Sequence, residues 1–224
     1  MILTLWEKVT GTSRSVFLLV SLVTLIFVYP VISQLTAARA LLGILFAVTP
    51  LAGVYAVSDR KKTMVVATIL AVPAILSILG HFFLDVPLVS DKVFLSFIVL
   101  YYGYTTVAVI HHIFTKSKVD ADTIISAVSA YLMIGLSFAV AFMLVHFGSQ
   151  GGLSEATADR IIEWPDIFYF SMVTLTTLGY GDISPTVPIA RSLATLEAVC
   201  GVMYMSILIA RLVSEYQMTR RGDN

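Results

Sequence analysis

Six apolar runs divide this chain, each about 17–25 residues long, the length an α-helix needs to cross the hydrocarbon core of a bilayer. They fall near residues 15–33, 38–57, 63–83, 93–114, 123–147 and 188–212. None alternates with the period of a strand, and backbone groups in lipid must be satisfied within their own segment, so helices are expected. Hydrophobic residues make up 58% of the 224 positions and charged residues 12%, too little charge to cover the surface of a soluble domain. The formal net charge is zero, so no long-range field points to a nucleic-acid partner. Pro30, Pro50 and Pro73 lie inside the first three runs, where each frees a backbone carbonyl and bends a helix for packing. Ala38-Arg39-Ala40 has the small-residue pattern of a signal-cleavage site, but the run before it is longer than a signal core and is read as a span.

The basic residues of the connections set the orientation. Lys8 and Arg14 precede the first run, Arg60, Lys61 and Lys62 join the second to the third, Lys116 and Lys118 join the fourth to the fifth, and Arg220 and Arg221 close the chain. The opposite side has Arg39, Lys92, Arg160 and Arg191. The bias puts both termini in the cytoplasm and the connection between the fifth and sixth runs outside. The single cysteine, Cys200, lies within an apolar run and reads as a packing residue; metal-binding spacing is absent. The four histidines are spread over three runs without a catalytic triad, so an enzyme is not expected. His111 and His112 end the fourth run and His146 lies near the end of the fifth, where pH sensing and plain interfacial placement both fit.

The connection between the fifth and sixth runs is unlike the others. It starts polar, with Gly148, Gly151, Gly152, Ser154 and Glu155, and turns apolar from Trp164 to Leu178, a stretch too short to cross. Pro165 and Asp166 suit the first turn of a helix, which is expected to run to about Thr176 and to re-enter the membrane without crossing it. Its C-terminal end carries partial negative charge and favours a cation. Thr176-Thr177-Leu178-Gly179-Tyr180-Gly181-Asp182 follows, and its two glycines permit backbone conformations in which successive carbonyls face one way.

Residues 164–185, WPDIFYFSMVTLTTLGYGDISP, resemble the pore loop of the potassium channels with two or six transmembrane segments, and the resemblance extends over residues 123–216. It implies an all-α membrane protein with six transmembrane helices, a re-entrant pore helix and a selectivity-filter loop between the last two, assembled as a homotetramer with three identical subunits around each chain. It implies K+ ions held by the carbonyls of Thr177, Leu178, Gly179 and Tyr180 and by the Thr177 hydroxyl, with Gly181 in support. Such rings of oxygens replace the hydration shell of the ion. It further implies a bond from Tyr169 to Asp182. Leu178 departs from the usual valine, which bears on filter packing, and Val173 stands where some of these channels have a glutamate.

By the same resemblance Gly201, 24 residues beyond Thr177, matches the hinge glycine of the pore-lining helix, although a glycine there also serves close packing. Val202, Met205 and Ile209 follow at helical spacing as gate residues that line the cavity or face other helices. Glu197, an acid at membrane depth, is read either as a brace behind the filter or as an interfacial carboxyl. Arg211 and Glu215 are spaced as a helical ion pair. The fourth run holds no arginine or lysine between Val93 and Phe114, so steep voltage gating is not expected. The organisation expected is a peripheral domain over residues 1–118, a pore domain over 119–216 and a short cytoplasmic tail over 217–224, in the plasma membrane among lipids. A weakly selective cation channel, a non-conducting subunit and a component of a potassium transporter are the competing readings.

Overall fold

The computed structural model describes residues 14–28, 39–80, 91–116, 119–149, 151–155 and 162–222. Pro30, Lys8, Lys118 and Arg160 lie outside the described residues. Seven helices follow in order: α1 (Arg14–Val28), α2 (Arg39–Ala56), α3 (Lys61–Leu79), α4 (Asp91–Thr115), α5 (Ala121–Gly148), α6 (Trp164–Leu175) and α7 (Pro188–Gly222). Strands β1 (Leu153–Glu155) and β2 (Ile183–Pro185) form an antiparallel ladder, with Ser154 opposite Ser184. An all-α chain was expected, and three-residue strands are too short to leave a periodic signal.

Among the described residues three helices are long and apolar enough to cross a membrane, namely Leu95–Thr115 within α4, α5, and Pro188–Glu215 within α7. The apolar helices of the first two runs are shorter, Arg14–Val28 and Leu41–Ala56. Helices α2, α3, α4 and α5 pack each on the next, and α6 lies against both α5 and α7. Pro50 and Pro73 sit inside α2 and α3.

Apolar packing alone does not align helices in an apolar solvent, and hydrogen bonds between helices add orientation at about 0.6–2 kcal/mol each. The Ser15 and Ser126 hydroxyls meet at 2.8 Å between α1 and α5, and those of Thr106 and Ser137 at 3.0 Å between α4 and α5. The buried Tyr101 hydroxyl donates to Pro50 O on α2 at 2.6 Å, and Tyr204 on α7 donates to Ala127 O on α5 at 2.8 Å. Arg211 reaches off α7 to the end of α4, where it donates to the carbonyls of Ile113 and Lys116 and lies 5.3 Å from the centre of the Phe114 ring. Those are carbonyls that the end of a helix leaves without an internal partner.

Asp120 starts α5. Its Oδ1 accepts from Thr123 N at 2.9 Å, from the Thr123 hydroxyl at 2.7 Å and from Lys116 Nζ at 3.0 Å. Burial raises this carboxyl, but the Thr123 and Lys116 bonds outweigh it and hold it at about 2, below its ordinary 3.8. The folded state therefore binds this proton less readily than the unfolded chain. The stabilisation is complete above about pH 4 and is lost as pH falls through about 2. Asp120→Ala should lower stability by about 0.5–2 kcal/mol, the range of lost N-caps, and remove that part of the acid-side loss in thermal unfolding followed against pH.

A second expectation concerns the α2–α4 contact. A Cβ at Gly53 would lie 2.3 Å from the Tyr101 hydroxyl oxygen, so glycine makes room for the bond to Pro50. Gly53→Ala should destabilise by about 1–3 kcal/mol through overpacking. Adding Tyr101→Phe, which removes the clashing atom, should recover part of that loss in the melting temperature measured in detergent.

Candidate functional site

Helix α6 begins where the sequence stops the chain from continuing extended. Asp166 accepts from Glu163 N at 2.9 Å, and Pro165 occupies the first turn. Twelve residues give about 18 Å of helix, well short of the thickness of a bilayer. Ile167, Phe170, Ser171, Val173 and Leu175 form its buried face.

The helix ends at Leu175, and the next amides turn back onto it. Thr176 N donates to Met172 O at 3.1 Å, Thr177 N to Thr174 O at 3.0 Å, and Leu178 N and Gly179 N to Val173 O at 2.9 and 3.4 Å. The loop then alternates in hand. Thr177 has φ 58°, Gly179 57° and Gly181 78°, whereas Leu178 and Tyr180 stay at negative φ. Successive carbonyls of a strand point to opposite sides; a left-handed residue at every second position undoes that alternation and allows neighbouring carbonyls to share a side. Thr177 is the one non-glycine residue at positive φ among the described residues. For a β-branched side chain this conformation stores about 1–3 kcal/mol, of the kind found at functional sites. Residues 176–182 are all exposed in the single chain, Tyr180 to 67%.

Beyond the loop, the Tyr169 hydroxyl donates to Asp182 Oδ2 at 2.8 Å. That bond, followed by burial and the Asp182 charge, raises the phenol above its ordinary value. Ile183 is buried with Phe142, Leu153, Ile162, Ile167 and Phe170, which anchors the far end of the loop to α5 and α6. Behind the loop Glu197 is fully buried on α7. Ser171 Oγ lies 2.5 Å from Glu197 Oε1 and 2.7 Å from Gly135 O, so one serine hydroxyl links α5, α6 and α7. Glu197 Oε2 is buried without a partner among the described residues.

Gly201 faces the end of α6. A Cβ there would lie 2.3 Å from Leu175 O and 3.0 Å from Leu175 Cδ1, and the Tyr131 hydroxyl lies 3.4 Å from the same carbonyl oxygen. Val202, Met205 and Ile209 lie on the exposed side of α7, away from Gly201 and Tyr204, which are buried. The structure thus brings Tyr169 to Asp182, and Glu197 and Gly201 to α6, while Val202, Met205 and Ile209 stay exposed in the single chain. Sequence reasoning missed Ser171, whose partners on α5 and α7 lie far away in sequence. Nothing in the sequence marked the left-handed backbone at Thr177.

The site is thus a short helix held between two long apolar helices and followed by an exposed loop of alternating hand. Residues 130–218 match the family described as "Ion channel". The inward rectifier potassium channel Kirbac3.1 of Paramagnetospirillum magnetotacticum is 30% identical over 112 residues, 50% of this chain and 35% of that protein. Two pore potassium channel c of Oryza sativa subsp. japonica is 35% identical over 85 residues, 38% of this chain and 17% of that protein. Protein LctB of Bacillus caldotenax is 27% identical over 103 residues, 44% of this chain and 76% of that protein. No solved structure matches the chain. Residues 130–218 are thus similar to ion channels, several potassium channels among them, and the chain spans about a third or less of the length of the first two of these relatives.

Two glycines on α5 and α7 offer a direct comparison. At Gly135 a Cβ would meet Met172 Cε at 2.5 Å, the free end of a flexible side chain, whereas at Gly201 it would meet backbone. Gly201→Ala should therefore cost about 1–3 kcal/mol and Gly135→Ala less, as read from melting temperatures of the purified protein.

Proposed function

We propose that four copies of this chain form a potassium-selective channel in the plasma membrane. In this reading the chain crosses the membrane six times with both termini cytoplasmic, and α6 enters from the outer side and stops inside. The loop alternation at Thr177, Gly179 and Gly181, with the amides of Thr177, Leu178 and Gly179 turned back onto α6, is the observation that carries the reading. Amides held on one side leave the carbonyls of Thr177, Leu178, Gly179 and Tyr180 to serve as K+ ligands on the other, joined by the Thr177 hydroxyl. The potassium channels among the relatives support the choice of ion.

The end of α6 contributes partial negative charge close to the ions. Gly181, Asp182 and Tyr169 hold the outer end of the filter, and Glu197 braces it from behind through Ser171. Leu178 turns its side chain away from the axis. Gly201, Val202, Met205 and Ile209 form the moving part of α7, and the exposed apolar side of that helix meets neighbouring copies and the cavity. The first four helices form a peripheral domain without a charged sensor, so conduction responds only weakly to voltage.

Purified protein in liposomes under a potassium gradient should give barium-sensitive K+ flux, with a reversal potential in mixed sodium and potassium that follows potassium. Gly179→Ala should cut that flux at least about tenfold, because alanine at φ 57° costs about 1–2 kcal/mol in each of four subunits. Absence of flux across several pH values and lipid compositions would favour a non-conducting subunit. An e-fold change in open probability within a few millivolts would contradict weak voltage dependence, and unaltered conductance and inactivation in Glu197→Gln would rule out the brace.

A further inference from the structure

A cleft of about 250 Å³ opens between the turn that joins α2 to α3 and the last turns of α4, far along the chain from the pore segment. Its rim is basic. Arg60 Nη1 lies 3.0 Å from His111 Nδ1, and Arg60 Nη2 donates to the Thr115 hydroxyl at 3.0 Å. A guanidinium only donates, so Nδ1 accepts and the imidazole proton sits on Nε2, free for a further acceptor. These two bonds hold the guanidinium in place and leave its remaining N–H groups without an acceptor among the described residues. Lys61 and Lys62 follow, both exposed. Asp59 also lines the cleft, but it is ion-paired with Arg14, so the uncompensated charge is positive.

The start of α3 adds a second, independent attraction for an anion. The side chains placed to cap it are engaged elsewhere, Ser58 Oγ with Tyr55 O at 2.7 Å and Asp59 with Arg14. The amides of Lys61, Lys62 and Thr63 have no acceptor among the described residues, and Thr63 lines the cleft. Such amides favour negative charge.

The floor has the opposite character. Ala56, Val57, Tyr104 and Val107 line it, and Val107 is 66% exposed. From His111 back to Tyr104 the cleft follows α4 for about 10 Å, at 1.5 Å per residue. A free anion would satisfy the rim and leave this floor uncovered. An amphiphile with an anionic head and an apolar chain satisfies both.

We propose that this cleft binds an anionic phospholipid, with its phosphate at Arg60, His111 Nε2 and the first turn of α3, and an acyl chain along Val107 and Tyr104. The proposal is independent of conduction and is read by binding alone.

The test is native mass spectrometry of the detergent-purified protein titrated with palmitoyl-oleoyl phosphatidylglycerol or phosphatidylcholine, with inorganic phosphate as competitor. Phosphatidylglycerol should be retained about fivefold better than phosphatidylcholine, the scale set by one guanidinium, at about 1 kcal/mol, beside a head with net negative charge. Arg60→Gln should remove most of that preference. Val107→Trp should fill the floor and lower retention several-fold with no change of charge. Since Val107 is exposed, this variant keeps the test decisive should Arg60→Gln fail to fold. Millimolar inorganic phosphate should leave the bound lipid in place. Equal retention of the two lipids, or wild-type retention in Val107→Trp, would overturn the proposal. Displacement by inorganic phosphate would also overturn it, in favour of a site for the free anion.

Discussion

Backbone amides turned back onto the end of a short helix are the constraint on which the loop after α6 rests. Helix α6 finishes with carbonyls that need donors, and Thr176, Thr177, Leu178 and Gly179 supply them. The same bonds fix which side of the loop carries N–H groups, and so which side carries oxygens. Left-handed residues at alternate positions then become necessary, and glycine fills two of the three. Thr177 fills the third against its own preference.

The surroundings of the loop act as supports for that backbone. Asp182 is held by Tyr169, Ile183 is buried in the cluster around Phe142 and Phe170, and the β1–β2 ladder ties the outer end to the segment that follows α5. On the other side Ser171 bridges Gly135 and Glu197. The loop is exposed in a single chain yet pinned at both ends. Helix α4 packs on α5, Phe46 on α2 meets the Trp164 ring at the start of α6, and the Tyr204 and Arg211 bonds tie α7 to α5 and α4.

Much of this was legible in the residues. The apolar runs gave helices where expected because length and hydropathy together leave little choice in lipid. The short apolar stretch after Trp164 gave α6, with boundaries within a residue of those expected, because Pro165 and Asp166 mark its start. What escaped was of a different kind. The β1–β2 ladder is too short to carry a pattern. The contact of Gly201 with Leu175 O, the Ser171 bridge and the reach of Arg211 to α4 all join residues distant in sequence. One sequence read alone carries no information on such pairs. The basic triplet Arg60-Lys61-Lys62 was legible as an orientation signal, but the apolar floor beside it comes from α4, some fifty residues on.

The contact at Gly201 has a mechanical side. Leu175 O is a backbone atom at the last residue of α6, and α7 approaches it so closely that a single methyl group would not fit. Neither partner can yield by rotating a side chain. A tilt of α7 toward α6 therefore bears on backbone at Leu175 and not on a side chain, like a lever on its fulcrum, and glycine sets how short the gap between the two helices is.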